Sequence, residues 1–215
     1  MPNWCENELR ITGPNVDAVL EAIAGEEEID DLDHKTRRRK ATPFFFGKVI
    51  PMPPTLDIED GTRSDLALLC AENEGLGRFA IYDWVKKCGY TTPQELCEHY
   101  AWNYADMVRL GEQIKENVRL YGAATWYDWT HKNWGTKWSA SEVELRGRVG
   151  DGVTIDFKTA WSPPLPVIQK LSEMFPGHRF ILKYWEGGAG FKGVAQFMMG
   201  EGEDDRTEYK GRRGG

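Results

Sequence analysis

Alternation of apolar and polar side chains is clearest in the last third of the chain. Val143-Glu144-Leu145-Arg146-Gly147-Arg148-Val149 and Val153-Thr154-Ile155-Asp156-Phe157-Lys158-Thr159 each change character at every second residue. That is the period of a strand with one buried face. Gly150-Asp151-Gly152 lies between them, and these residue types accept the positive φ of a tight turn, so the pair predicts a hairpin. Leu165, Ile168, Leu171, Ser172 and Phe175 then recur at helical spacing. Ser162-Pro163-Pro164 stands before them as an N-cap with first-turn prolines, and Pro176-Gly177 stops the helix. Strand character resumes from Arg179 to Glu186, turns at Gly187-Gly188-Ala189-Gly190 and returns from Phe191 to Met199. Near the N-terminus, Cys5, Asn7, Leu9 and Ile11 alternate with Glu6, Glu8 and Arg10. Val16, Val19, Leu20 and Ile23 follow as the stripe of a short helix that Gly25 ends.

With the middle set aside, the order is strand, helix, hairpin, helix, strand, plus one further strand. That order predicts an α+β fold: a ferredoxin-like antiparallel sheet with two helices on one face, interrupted by a large, mainly helical insertion. The core is expected at residues 1–24 and 141–200, the insertion at 25–140, packed on the core, and a flexible charged tail at 201–215. Within the insertion, Glu26 to Asp33 is acidic and His34 to Lys40 is basic, which predicts a solvated loop with self-pairing charges. Phe44 to Ile50 reads as a strand ending at Pro51. Leu96, Tyr100, Tyr104, Met107, Leu110, Ile114 and Val118 predict one long surface helix.

Composition adds a compartment. Apolar residues make up 40 % and aromatics 12 % of the 215 residues, with nine Trp, enough for a sizeable core. The opening residues carry neither a basic region nor an apolar stretch, and nowhere do eighteen apolar residues run together, so a soluble, cytoplasmic protein without membrane partners is expected. Four dispersed cysteines, Cys5, Cys70, Cys88 and Cys97, read as reduced core thiols. The net charge of −7 disfavours general nucleic-acid binding, whose affinity comes largely from neutralising phosphate.

Several segments in order resemble the YubB ferredoxin-like family of bacteriophages and conjugative plasmids. They are Met1-Pro2-Asn3-Trp4-Cys5-Glu6-Asn7, Val49-Ile50-Pro51-Met52-Pro53 and Asn133-Trp134-Gly135-Thr136-Lys137-Trp138. The series continues with Phe157-Lys158-Thr159-Ala160-Trp161-Ser162-Pro163-Pro164, Phe175-Pro176, Tyr184-Trp185-Glu186 and Gly190-Phe191. The resemblance implies a mobile-element origin and supports the ferredoxin-like core. The family carries no assigned activity, so it transfers no catalytic residue.

The most unusual segment runs from Trp126 to Trp138. Trp126, Trp129, Trp134 and Trp138 either clamp the insertion onto the sheet or share a binding surface with His131 and Lys137, since Trp is enriched at binding hot spots. Asp128 and His131 share a helical face, but no nucleophile accompanies them, and no catalytic residue is assigned. Arg37, Arg38 and Arg39 form a candidate contact for phosphate or an acidic partner. Cys97-Glu98-His99 has the wrong spacing for one metal on a helix, so no metal or cofactor is expected. Gly187–Gly190 joins two strands with no Lys-Ser or Lys-Thr after it, and reads as a turn, not a phosphate loop. The mobile-element origin that the resemblance implies, together with the acidic balance, makes the expected function a phage- or plasmid-encoded, non-catalytic accessory protein that binds a host protein, with countering a host defence system as its task. Single-stranded nucleic-acid binding through the 37–40 run and exposed Trp is the alternative, and an enzyme of unknown type the third reading.

Overall fold

In the computed structural model the described residues are 3–31, 36–72 and 75–208. The chain divides into two compact units, residues 1–51 with 130–215, and residues 52–129. The insertion that behaves as its own body is thus narrower than residues 25–140.

The first unit is built on a six-stranded antiparallel sheet. Its strands are β1 (Trp4–Thr12), β4 (Ser141–Val149), β5 (Gly152–Ala160), β6 (Arg179–Glu186), β7 (Phe191–Met198) and β8 (Glu201–Glu208), in the spatial order β4-β5-β1-β6-β7-β8. The first four neighbours of that order, β4-β5-β1-β6, are the ferredoxin-like arrangement in which the N-terminal strand lies between the two strands that follow the hairpin turn and the second helix. Helix α1 (Val16–Ile23) buries Val16, Val19 and Ile23, and α8 (Leu165–Met174) buries Val167, Ile168 and Leu171. Helix α8 lies against β6, β7, β8 and the short helix α2 (Phe46–Val49), and α2 in turn lies against α1. Under them, the inward residues of β1 (Cys5, Asn7, Leu9, Ile11) and β5 (Val153, Ile155, Phe157) complete the core. Asn7 is tolerated there because its amide donates to Cys5 O and Thr159 Oγ1, both at 2.9 Å.

Several expectations need correction. Residues 201–208 are not a flexible tail: β8 pairs with β7 along its whole length, from Met198 opposite Glu201 to Phe191 opposite Glu208. Its polar sequence hides the strand because β8 is the sheet edge and buries no face, while Tyr184 Oη donates to Asp204 at 2.7 Å and Arg206 lies 3.7 Å over the Phe191 ring. Residues 209–215 lie outside the described residues. The charged run is a two-stranded hairpin, β2 (Gly25–Asp31) with β3 (Thr36–Thr42), and not a loop. Phe44 to Ile50 is no strand, since Phe46–Val49 is helical, with Phe46 buried edge-on against Phe44 at 5.0 Å. In β4 the even alternation breaks at a bulge, where Leu145 faces Ile155 and Gly147 faces Thr154, leaving Arg146 as the extra residue.

The second unit is helical: α3 (Thr62–Glu72), α4 (Asp83–Cys88), α5 (Pro93–His99), α6 (Tyr104–Tyr121) and the first half of α7 (Trp126–Asn133). The predicted long helix is two helices. The Thr92 capping box starts α5, Ala101 takes a left-handed φ of 56°, and Asn103 caps α6 anew by accepting from Asp106 N at 3.0 Å. Leu66, Cys70, Leu96, Cys97, Met107 and Ile114 form its core. Helices α3 and α6 meet so closely that a Cβ on Gly111 would lie 2.0 Å from the Ala67 carbonyl oxygen.

Candidate binding surface

The face of the first unit's sheet away from α1 and α8 carries the outward residues of each strand. Glu6 lies between Lys158 and Trp185, and Glu8 lies between Asp156 and Lys183. Lys192 and Val194 continue these two rows on β7, and Thr207 and Asp205 continue them on β8. Charges on this face are arranged as pairs. Lys183 Nζ is 2.9 Å from Glu8 and Lys158 Nζ is 2.6 Å from Glu142, while Arg146, the extra residue of the bulge, pairs with Asp156 and reaches Glu8 at 3.9 Å. A concavity of about 500 Å³ opens among Glu6, Glu8, Asp156, Lys183, Trp185 and Val194. Burial raises the Asp156 carboxyl above the usual carboxylate range against the pull of Arg146, with Glu8 and Glu144 adding to the rise. Its Oδ1 is buried without a hydrogen-bond partner.

One end of this face is aromatic. Trp185 is 51 % exposed, and Trp138 and Trp161 are each 40 % exposed. Trp4, half-buried at the start of β1, stands two residues from Glu6 on the same face, with its ring 6.4 Å from that of Trp138. The Lys137 ammonium lies 4.6 Å from the Trp138 ring and 5.4 Å from the Trp161 ring, and His131 stacks on Trp161 at 5.8 Å.

The backbone holds Trp161 outward. It adopts a left-handed φ of 67°, a region costing a bulky residue on the order of 1–2 kcal/mol. A set of hydrogen bonds offsets that cost. Trp161 N donates to Asn3 O at 2.9 Å, Thr136 Oγ1 to Ala160 O at 2.9 Å, and Thr159 Oγ1 to Ser162 O at 2.7 Å. Ser162 Oγ also donates to Gly135 O, so the hydroxyl read as a helix N-cap ties the 133–138 segment to this turn instead.

The nine binding residues read from sequence separate in the structure. His131, Lys137 and Trp138 come together at the aromatic end. Trp134 is buried, with Nε1 donating to Ile50 O at 2.9 Å and its ring edge-on to Phe46, so it belongs to the core. Trp129 is also buried, and Trp126 is half-buried against Tyr127 in the helical unit. Arg37, Arg38 and Arg39 lie on β3, where the register sets Arg37 opposite Asp30 and Arg39 opposite Glu28. Arg39 also reaches Glu26 at 3.9 Å, and the side chains of Arg37 and Arg38 lie outside the described residues. Trp4, Trp161 and Trp185 stand outside the nine residues read from sequence. The signal for Trp185 was its outward register on β6, but nothing in the sequence marks the left-handed turn that displays Trp161. Among the described residues, no three His, Cys, Asp or Glu side chains are grouped to hold a metal ion.

Residues 133–213 match the model of a family described as "Ferredoxin-like domain in Api92-like protein". The matched segment supplies β4, β5, α8, β6, β7 and β8, and the fold of the first unit is ferredoxin-like. The crystal structure of a protein api92 from Yersinia pseudotuberculosis is similar to this chain. Identity is 17 %, over 99 % of this chain and 100 % of that one, with a TM-score of 0.48. No curated protein matches the chain. Among the described residues no helix is long and apolar enough to cross a membrane.

Proposed function

We propose that this chain is a non-catalytic binding protein that takes a folded protein partner on the aromatic end of its open sheet face. The observation that carries the reading is the exposure of Trp138, Trp161 and Trp185, all at least 40 %, with Trp138 beside Trp4, Lys137 between the Trp138 and Trp161 rings, and Trp185 opposite Glu6 in the sheet. Indoles left in water by a fold that spends backbone strain on presenting one of them are typical interface anchors. Beside them the cations Lys158, Lys183 and Arg146 already hold carboxylates, so the surface is balanced in charge, as protein interfaces are, and lacks the basic surplus that phosphate contacts require. The chain's resemblance to phage and plasmid proteins points to a host protein as the partner and to countering a host defence as the task.

A tagged pull-down from bacterial lysate, with and without nuclease, tests the proposal. One stoichiometric protein retained after nuclease, and lost when Trp138, Trp161 and Trp185 are changed together to Ala, is the expected result. Recovery that depends on nucleic acid would replace this reading by single-stranded nucleic-acid binding, in which indoles stack on bases.

A further inference from the structure

The helical unit holds two cysteines in direct contact. Cys70 lies in the last turn of α3 and Cys97 in α5, and their Sγ atoms are 3.4 Å apart. Both are buried in the unit's core beside Leu66 and Leu96, while the third cysteine of this unit, Cys88, is exposed. Two thiols on separate, well-formed helices, 27 residues apart in sequence, meet here with only a sulfur–sulfur contact between them. A disulfide bond measures about 2.05 Å, so the sulfurs need to close by a little over 1 Å from the contact they already make.

We propose that Cys70 and Cys97 are a dithiol modification site that a low-molecular-weight disulfide such as oxidised glutathione converts to an intramolecular disulfide. One thiolate attacks the glutathione disulfide, breaking its sulfur–sulfur bond and releasing one reduced glutathione. The second thiolate then attacks the mixed disulfide, forming the Cys70–Cys97 bond and releasing the other. The two thiols lose two protons and two electrons in all, and both electrons leave with the two glutathione molecules.

Burial sets the rate. It pushes the Cys70 thiol up to about 12 and raises that of Cys97. Thiolate is the attacking species, so the reaction is slow at neutral pH and accelerates as the pH rises. The product is favoured because it ties α3 to α5 across the core. A link that closes a loop of this length restricts the unfolded chain, and the contact already present keeps strain in the folded state small.

The test uses the full purified chain, incubated with millimolar oxidised glutathione at pH 7, 8 and 9, then denatured, alkylated and weighed. The expected product has lost two hydrogens at Cys70 and Cys97, shown by a cross-linked peptide joining the two. Its formation is faster at pH 9 than at pH 7, and dithiothreitol reverses it. Its helical unit melts roughly 5–15 °C higher than the reduced form. Cys88 takes at most a glutathione adduct. Cys70→Ala and Cys97→Ala each abolish the linked peptide, and the wild-type mapping stands by itself where either variant folds poorly. Full alkylation of Cys70 and Cys97 after oxidation, single glutathione adducts at either, or a lower melting temperature for the linked form would overturn the proposal.

Discussion

Single side chains decide how closely the elements approach and where charge is tolerated. Gly111 lets α6 lie on α3, and a methyl group there would meet the Ala67 carbonyl at 2.0 Å. Gly111→Ala should therefore destabilise the helical unit by about 3 kcal/mol, although Ala is the better helix former, because backbone must move to admit it. Urea unfolding followed by circular dichroism measures this, and an unchanged midpoint would refute the contact. Asp156 makes the opposite kind of prediction. Its carboxyl titrates above the usual range because burial disfavours the charge. A carboxyl whose folded pKa exceeds its unfolded one costs stability above the folded value, and acidification through that value removes the cost. Asp156→Asn should thus be more stable than the wild type at pH 7, with the gap closing as the pH falls toward the unfolded carboxylate range. Unfolding curves at pH 7, 5 and 4 check the sign, and a less stable variant at pH 7 would contradict it.

At the scale of elements, β8 shows how tertiary pairing overrides composition. Its residues Glu201–Glu208 are exposed throughout and mostly acidic, yet they form a continuous ladder with β7. Removing residues 201–215 strips β7 of that ladder, Tyr184 of Asp204 and Phe191 of Arg206. The truncated chain should lose more than about 2 kcal/mol in the sheet unit, read from its denaturant midpoint. Hydrogen exchange on the full chain should show slowed amides within 201–208. The same contrast explains which parts of the fold were legible. Strands β1, β5, β6 and β7 alternate cleanly because one face of each is buried, and the α1 and α8 stripes are read for the same reason. The order of those elements yields the ferredoxin-like core. Strand β8 buries no apolar face, so its sequence carries charge in place of periodicity, and the β2–β3 pair is likewise written in charged residues. The break between α5 and α6 leaves no mark in the apolar spacing, because Leu96 to Val118 keeps helical period across it and only Ala101 and Asn103 interrupt the backbone. At the candidate surface, the density of Trp is highest in residues 126–138. Spacing alone does not separate Trp134, hydrogen-bonded in the core, from Trp138 at the surface. Trp161 needed the turn itself.

For the whole molecule, two bodies share one chain. Residues 52–129 own a closed set of buried apolar residues, so this segment expressed alone should be helical and melt cooperatively. A featureless melt, or little helix by circular dichroism, would show that its core depends on the rest of the chain. The sheet unit carries the proposed binding surface, and its exposed Trp residues are the central claim. The measurement that tests it most directly is partner affinity, determined side by side for the wild type, the Trp138→Ala/Trp161→Ala/Trp185→Ala variant and Arg119→Ala on the exposed side of α6. The account predicts a loss of at least about 100-fold for the Trp variant and no change for Arg119→Ala, with the wild-type fold retained in both. Equal affinity for the wild type and the Trp variant would contradict it.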